Sequence, residues 1–258
     1  AQIGQSVSGT VGSISVMAAD TIDAHAETWA ISGGIGAIGM NFAFVDVNPD
    51  VQAYIGNSSN IKVTGNVAVN ATATPKAWAE TFGVNAGALA VGVSFSTATA
   101  SPALVAHAGG TISAANLSVT ALLARPVSGY SAEAKATGSG GALVAVDATI
   151  ANAINNGSVR SYVDTGATLE ISGGTTIGAA GNTKQKADAN SNVGGLIAAG
   201  ISRSSASSNT TTDAYLGMNV KLTGGSLTIT AVGYDDNYSD TTAGSIGAIA
   251  GASAVAAT

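Results

Sequence analysis

A short phrase with an aromatic centre recurs four times along this 258-residue chain at a nearly constant spacing. The copies begin 53, 55 and 53 residues apart. Their central residues are Tyr54, His107, Tyr162 and Tyr215. A period of this length is typical of repeat proteins, in which each unit buries its apolar face against its neighbours.

A second phrase, an Ala followed by a carboxylate, recurs with steps of 53, 53 and 55 residues. Its acidic residues are Glu27, Glu80, Glu133 and Asp188. The two phrases together predict one repeat array over residues 1–258. Its approximate units are 1–50 (partial), 51–103, 104–158, 159–211 and 212–258 (partial).

Alternating apolar and polar residues predict strands in each unit. Val67–Ala71 and Leu227–Ala231 are examples of this period of two. Longer runs of small apolar residues follow in every unit, and Ala favours helices. These runs also contain Gly, Val, Ile, Thr and Ser, which oppose a helix and favour strands. The runs are 35–47, 86–99, 141–154, 193–205 and 246–257.

The predicted fold class is therefore all-β, and two arrangements fit it. A Gly/Asn turn between Lys76–Phe82 and Ala88–Thr97 would allow antiparallel hairpins. A repetitive β-solenoid, β-helix-like with repeats of about 53 residues, would instead stack like strands in parallel. We favour the solenoid, because it explains why one position repeatedly takes a similar side chain. It predicts a column of the four central Tyr and His rings.

Composition excludes several classes of function. Charged residues make up 9% of the chain, against about 25% in typical domains. The 9 Lys and Arg residues are scattered and the net charge is −6, so we expect no nucleic-acid partner and no membrane insertion. There is no Cys, which excludes disulfides. The sequence opens and closes within a repeat and shows no secretion signal, so we interpret it as a segment of a longer protein.

Candidate sites are few, and the sequence predicts no catalytic, cofactor-binding or metal site. The aromatic column could stack a ligand, but it more simply fills a corner of each coil. The acidic row could hold a cation, but a solvated face is the simpler interpretation. Asp46–Asp50 and Asp235–Asp240 are rich in oxygen ligands, yet neither has the pattern of a calcium loop. They are predicted to be turns, with calcium binding left open.

Several phrases resemble the repeat arrays of giant bacterial filamentous adhesins, of the filamentous-haemagglutinin and leukotoxin-family type. They are Ala53–Gly56, Ala214–Gly217, Asn66–Ala71, Ser226–Ala231, Gly87–Val93 and Gly141–Val146. The resemblance covers essentially the whole chain. The unit with Thr176–Ala180 departs most, through an expected insertion at Lys184–Lys186. The resemblance implies a secreted β-solenoid stalk on the bacterial cell surface.

The expected function is thus structural and non-enzymatic: a stiff extracellular stalk or fibre for attachment. Its expected partners are neighbouring repeats or identical chains end to end, and host-cell, glycan or biofilm-matrix surfaces. Two alternatives remain open. One is a self-assembling extracellular filament, and the other is an ice- or carbohydrate-binding solenoid, which would need regular Thr ladders. A polysaccharide-cleaving enzyme would need clustered Asp, Lys and Arg, and such sparse charge disfavours it.

Overall fold

The computed structural model describes residues 1–5 and 7–258, and it is all-β, as predicted. Strands contain 84% of the residues, and the described part of the chain has no helix. The Ala-rich runs are therefore strands. The described residues contain the strands β1 Gln2–Ile3, β2 Ser8–Val11, β3 Ile14–Val47, β4 Asp50–Ile55, β5 Asn60–Val63, β6 Asn66–Ala100, β7 Ala103–Ala108, β8 Thr111–Ala114, β9 Asn116–Leu123, β10 Ala132–Asn155, β11 Ser158–Val163, β12 Thr168–Ser208, β13 Thr211–Leu216, β14 Lys221–Ile246 and β15 Ile249–Ala257.

All strand pairs within the described residues are parallel. Val67 pairs with Ile14, 53 positions earlier, and Ala132 pairs with Ala77, 55 positions earlier. One sheet has the order β1-β4-β7-β11-β13, and the larger sheet contains the other strands. Because every strand pairs in parallel with a strand distant in sequence, the described residues contain no antiparallel hairpin.

Strands β3, β6, β10 and β12 nevertheless reverse direction within their length, and β14 is followed by a similar bend that leads into β15. In β6, for example, a methyl group on Gly83 would lie 2.8 Å from the Ser94 hydroxyl oxygen, although the two residues are eleven positions apart in the strand. The segments of β6 before and after the bend therefore face each other. The pairing register skips Ala88 at the bend. We call the segments before and after each bend the outbound limb (14–34, 66–87, 116–142, 174–195, 226–246) and the return limb (36–55, 89–108, 144–163, 197–216, 249–257). The predicted Gly turn is present. The limbs it joins contact each other through their side chains, whereas the strands of a hairpin would be joined by backbone hydrogen bonds.

The interior between the limbs changes in character along their length. Val, Leu and Ile fill the end farthest from the bend, as with Leu104, Leu117 and Ile177. Ala fills the middle, as with Ala79 and Ala134. Small and polar residues fill the region near the bend. These buried polar residues include Asn41, Thr81, Asn85, Ser94, Asp147, Thr149 and Ser191. The narrowing interior explains why the chain is so rich in small residues.

The outer surfaces of the two limbs differ sharply. The return limb presents large apolar side chains to solvent, and the rings of Phe42, Phe44 and Phe95 lie 5.6–6.4 Å apart. The outbound limb presents charged and aromatic side chains. On the return limb, large apolar side chains thus face outwards, whereas small or polar ones such as Ala145 and Thr149 face inwards. Ordinary hydrophobic patterning would place them the other way round.

One loop interrupts the regular succession of strands. Leu123 pairs with Ala73 and Ala132 pairs with Ala77, so residues 124–131 replace only three residues of the neighbouring strand. The expected insertion at Lys184–Lys186 is wrong, because these residues continue β12 in register with β14. The extra length lies in the 124–131 loop.

Candidate functional site

Charged side chains collect on one surface, the outer side of the outbound limb around the middle of its length. Every second residue of a strand points to the same side, so residues 23, 25 and 27 and their partners in later strands form parallel rows. We call this surface the charged face. Its ionisable residues are Asp23, His25, Glu27, Lys76, Glu80, Glu133, Lys135, Lys184, Lys186, Asp188, Asp236, Tyr238 and Asp240.

The predicted acidic row is wrong at its third position. Glu27 pairs with Glu80, but the next residue along the row is Lys135, which pairs with both Glu80 and Asp188. Glu133 lies two residues earlier, in the neighbouring row. The reason is that the 55-residue step falls between the second and third copies. The signal was present, because the aromatic phrase itself has steps of 53, 55 and 53 residues.

Several charges of this face are paired locally with opposite charges. The Lys135 ammonium group lies 2.9 Å from the Glu80 carboxylate, and that hydrogen bond raises the pKa of Lys135. Lys76 lies 2.9 Å from Asp23 in the adjacent row. Burial raises the pKa of Glu133, and the nearby positive charge of Lys186 offsets part of this rise. The face is therefore a network of ion pairs, and its carboxylates do not converge on one point.

Aromatic rings lie among these charges. Trp29 is 66% exposed, and its ring centroid lies 4.9 Å from that of Phe82 in the next strand. Tyr130, from the 124–131 loop, and Tyr238 both contact the Lys184 ammonium group, at 5.0 and 5.1 Å from the ring centroids. Exposed rings beside carboxylates and ammonium groups are suited to recognising polar ligands with an apolar side.

The predicted aromatic column is confirmed on another surface. Tyr54, His107, Tyr162 and Tyr215 stack in register, with successive ring centroids 4.8, 5.0 and 5.0 Å apart and nearly parallel planes. The column lies on the outer side of the five-stranded sheet, so the expectation that it fills a corner of the coil is wrong. Neighbouring rings cover both sides of His107 and Tyr162, which leaves these two no free side for a ligand.

A buried carboxylate anchors this column. The His107 Nδ1 atom lies 3.0 Å from Oδ2 of Asp164, whose side chain is 9% exposed. The Tyr54 hydroxyl group donates a hydrogen bond to Gln2. Burial raises the pKa of the Tyr162 phenol, and the negative charge of Asp164 adds to the rise. These contacts fix the rings in place, which supports a structural role for the column.

A second buried carboxylate, Asp147, was not singled out by the sequence. It lies between the limbs near the bend and is 1% exposed, and neither carboxylate oxygen has a hydrogen-bond partner among the residues that the structure describes. Burial raises its pKa. The Ser191 hydroxyl group opposes this rise. It donates a hydrogen bond to the Asp147 main-chain carbonyl oxygen, at 3.4 Å. Gly92 and Gly138 leave the space that the carboxyl group occupies. The sequence indicated an inward-facing residue at position 147 only through the alternating pattern of residues 143–154.

The two oxygen-rich segments do not gather their carboxylates. Asp46 and Asp50 are exposed on either side of the link between β3 and β4, as expected of a turn. Gly233–Asp240 lies within β14, so the turn predicted there is wrong. Asp235 faces the interior and accepts a hydrogen bond from Ser208 at 2.8 Å, whereas Asp236 and Asp240 lie on the charged face. Within residues 1–5 and 7–258, no group of three His, Asp or Glu side chains could hold a metal ion.

Comparison with known proteins identifies no relative. No family model matches the chain, and neither a curated protein nor a solved structure is similar to it. Across the described residues, no helix is long and apolar enough to cross a membrane.

Reversing the charge of Lys135 tests the observed row. We expect Lys135→Glu to lower the free energy of unfolding by about 1 kcal/mol, because it leaves a row of acidic residues on adjacent strands without a cation. The loss should shrink in 1 M salt, which screens exposed charges. Urea unfolding followed by circular dichroism measures both effects.

Lys62→Glu is the matched control for this charge reversal. Lys62 is exposed on β5, where it pairs with Thr10 and Ser113. Its reversal should change the stability by less than about 0.5 kcal/mol. Equal effects of the two substitutions would contradict the proposed importance of the row.

Proposed function

We propose that this chain is a segment of a parallel β-solenoid that serves as a stiff, non-enzymatic stalk in an extracellular bacterial surface adhesin or fibre. Each unit of about 53 residues would form one coil, comprising one outbound and one return limb. The observation that carries the proposal is the register of the strands, which pair in parallel with strands 50–58 positions away. Stacked coils are the simplest way to connect such strands.

Stiffness follows from this pairing. Parallel ladders run through successive coils at about 4.8 Å per strand, and like side chains lie above one another. The stack of Tyr54, His107, Tyr162 and Tyr215 is the clearest such row. Bending the stack would separate rings and hydrogen-bonded strands along one side. A stalk that holds binding domains away from a cell needs this resistance.

The cell-surface location rests on the resemblance of the repeats to filamentous adhesins. The absence of Cys and the sparse charge are consistent with it. The proposed partners along the axis are neighbouring coils. The proposed partners at the sides are host-cell, glycan or biofilm-matrix surfaces, and the charged face is the surface that best suits them.

Carbohydrate binding is a second candidate function, favoured by Trp29. The residue is 66% exposed, and its indole nitrogen donates a hydrogen bond to the Glu27 carboxylate. Sugars bind through such combinations of an aromatic surface and polar groups. Ice binding is less well supported. The Thr pairs that begin at Thr72, Thr97 and Thr228 fall in three different rows, so they form no regular ladder.

The solenoid predicts unusual dimensions for the isolated chain. Five coils at about 4.8 Å give a height of about 24 Å, whereas an outbound limb of 22 residues is about 70 Å long. We therefore expect a thin plate in solution scattering and electron microscopy. A spherical particle of the same mass would contradict the solenoid.

The stalk function has a separate test in the bacterium that produces the protein. Antibodies against this chain should label intact cells as strongly as opened cells. Glycan binding is tested separately with the purified chain coated on beads. If the charged face is a recognition site, the beads should bind glycans and Trp29→Ala should abolish this binding. Labelling confined to opened cells would contradict the proposed location.

A further inference from the structure

The two open edges of the larger sheet carry the same sign of charge. Among residues 1–5 and 7–258, strand β3 pairs only with β6, and strands β14 and β15 pair only with β12. Within these residues each of the three strands therefore leaves one row of backbone groups unpaired. Residues 1–50 contain five acidic residues and no Lys or Arg. Residues 211–258 contain four acidic residues and one Lys. The remaining six acidic and eight basic residues lie between these two segments.

Unpaired edges of this kind are templates for further strands, including those of a second copy. If β14 of one chain paired with β3 of another in the register used throughout the molecule, Asp240 would lie beside Glu27. Asp236 would lie beside Asp23. Like charges directly opposite each other on paired strands are destabilising.

The neighbouring residues make this junction worse. Glu27 already pairs with Glu80, and Asp240 already pairs with Asp188. Joining the edges would therefore place four carboxylates in succession, Asp188 and Asp240 of one chain followed by Glu27 and Glu80 of the other. Lys135 of each chain would lie at the two ends of this series. Within the chain, each of these rows also contains an ion pair that offsets its like charges, with the Lys76 ammonium group 2.9 Å from the Asp23 carboxylate and the Lys135 ammonium group 2.9 Å from the Glu80 carboxylate.

We propose that the two edges reject a second copy of this chain and accept instead a parallel strand with Lys or Arg in the rows of Glu27 and Asp23, or of Asp240 and Asp236. The charges thus select which segment stacks at each end. This inference rests on the proposed stacking of coils and disfavours the self-assembling filament as the state of the unmodified chain.

Two single substitutions should convert the chain into a fibre. Asp240→Lys places a cation beside Asp188 in its own chain and beside Glu27 of the next copy. Glu27→Lys does the same from the opposite end, beside Glu80 and Asp240. We expect each variant to form linear fibres at a protein concentration at least tenfold below that at which the unmodified chain associates. Light scattering and electron microscopy at pH 7 in low salt measure this.

The double variant, Glu27→Lys with Asp240→Lys, is the control. It restores like charges at the junction, so it should remain monomeric. The double variant also carries less net negative charge than either single variant. If association depended only on the net charge of the chain, the double variant would therefore associate most readily. Circular dichroism confirms that each variant is folded, and the two single variants test opposite ends independently.

Three results would overturn the inference: fibres of the unmodified chain at neutral pH, monomeric single variants, or a double variant that assembles as readily as the single ones. Each can be distinguished from failure of the proposed solenoid. A thin, plate-shaped monomer whose single variants do not assemble leaves the solenoid intact and removes only the role of edge charge. A spherical particle removes both.

Discussion

We expect Gly138→Ala to be among the most damaging single substitutions in this protein. The new methyl group would overlap the carboxyl group of Asp147, whose Cγ atom would be 2.7 Å away. Both residues are enclosed between the limbs, so neither can move into solvent. Overpacking of this kind costs about 1–3 kcal/mol. Urea unfolding should show a lower midpoint with an unchanged slope.

Asp147→Gly should rescue that variant. In the pairing register, Asp147 lies between Gly92 and Gly200, so glycine continues a row that is already glycine on both sides. The double variant should recover the stability of Asp147→Gly alone. Gly141→Ala is the matched control in the same strand, because its methyl group would meet no atom of the described residues within 4 Å. Failure of the rescue would show that Gly138 is needed for another reason.

Local sequence patterns predicted much of the architecture. Alternation in Val67–Ala71 identified a strand with Val67, Val69 and Ala71 buried, and the structure has this arrangement. The spacing of the aromatic phrase predicted the ring column in its correct register. Both succeed because a strand has a period of two and parallel pairing preserves the order of residues.

The candidate charged face could be predicted only in part. The sequence indicated that the carboxylates recur but not that Lys135 takes the third place. A shift of two residues keeps a side chain on the same side of a strand, so patterning cannot detect it. Only the 55-residue step of the aromatic phrase carries that information. The interior near the bend was also unpredictable, because its polar residues, such as Asn85 and Asp147, are buried where patterning expects apolar ones.

Asp147 should make the protein less stable as the pH rises from 4 to 7. Burial raises the pKa of this carboxyl group in the folded state above its value of about 4 in the unfolded chain. Between these two values the folded protein retains a proton that the unfolded chain releases, so the free energy of unfolding falls with increasing pH. The contribution of Asp147 is fully present below about pH 4 and is lost towards its folded pKa.

Asp147→Asn isolates this contribution, because the amide is of similar size and does not ionise. The variant should match the unmodified protein near pH 4 and be more stable than it at pH 7, because the amide group has no charge to bury. The difference between the two curves cancels other titrating groups, including Glu133, whose pKa burial also raises. Asp46→Asn, at an exposed position, is the matched control for removing a carboxylate from the chain. A variant that parallels the unmodified protein from pH 4 to 7 would show that Asp147 is hydrated or paired in solution.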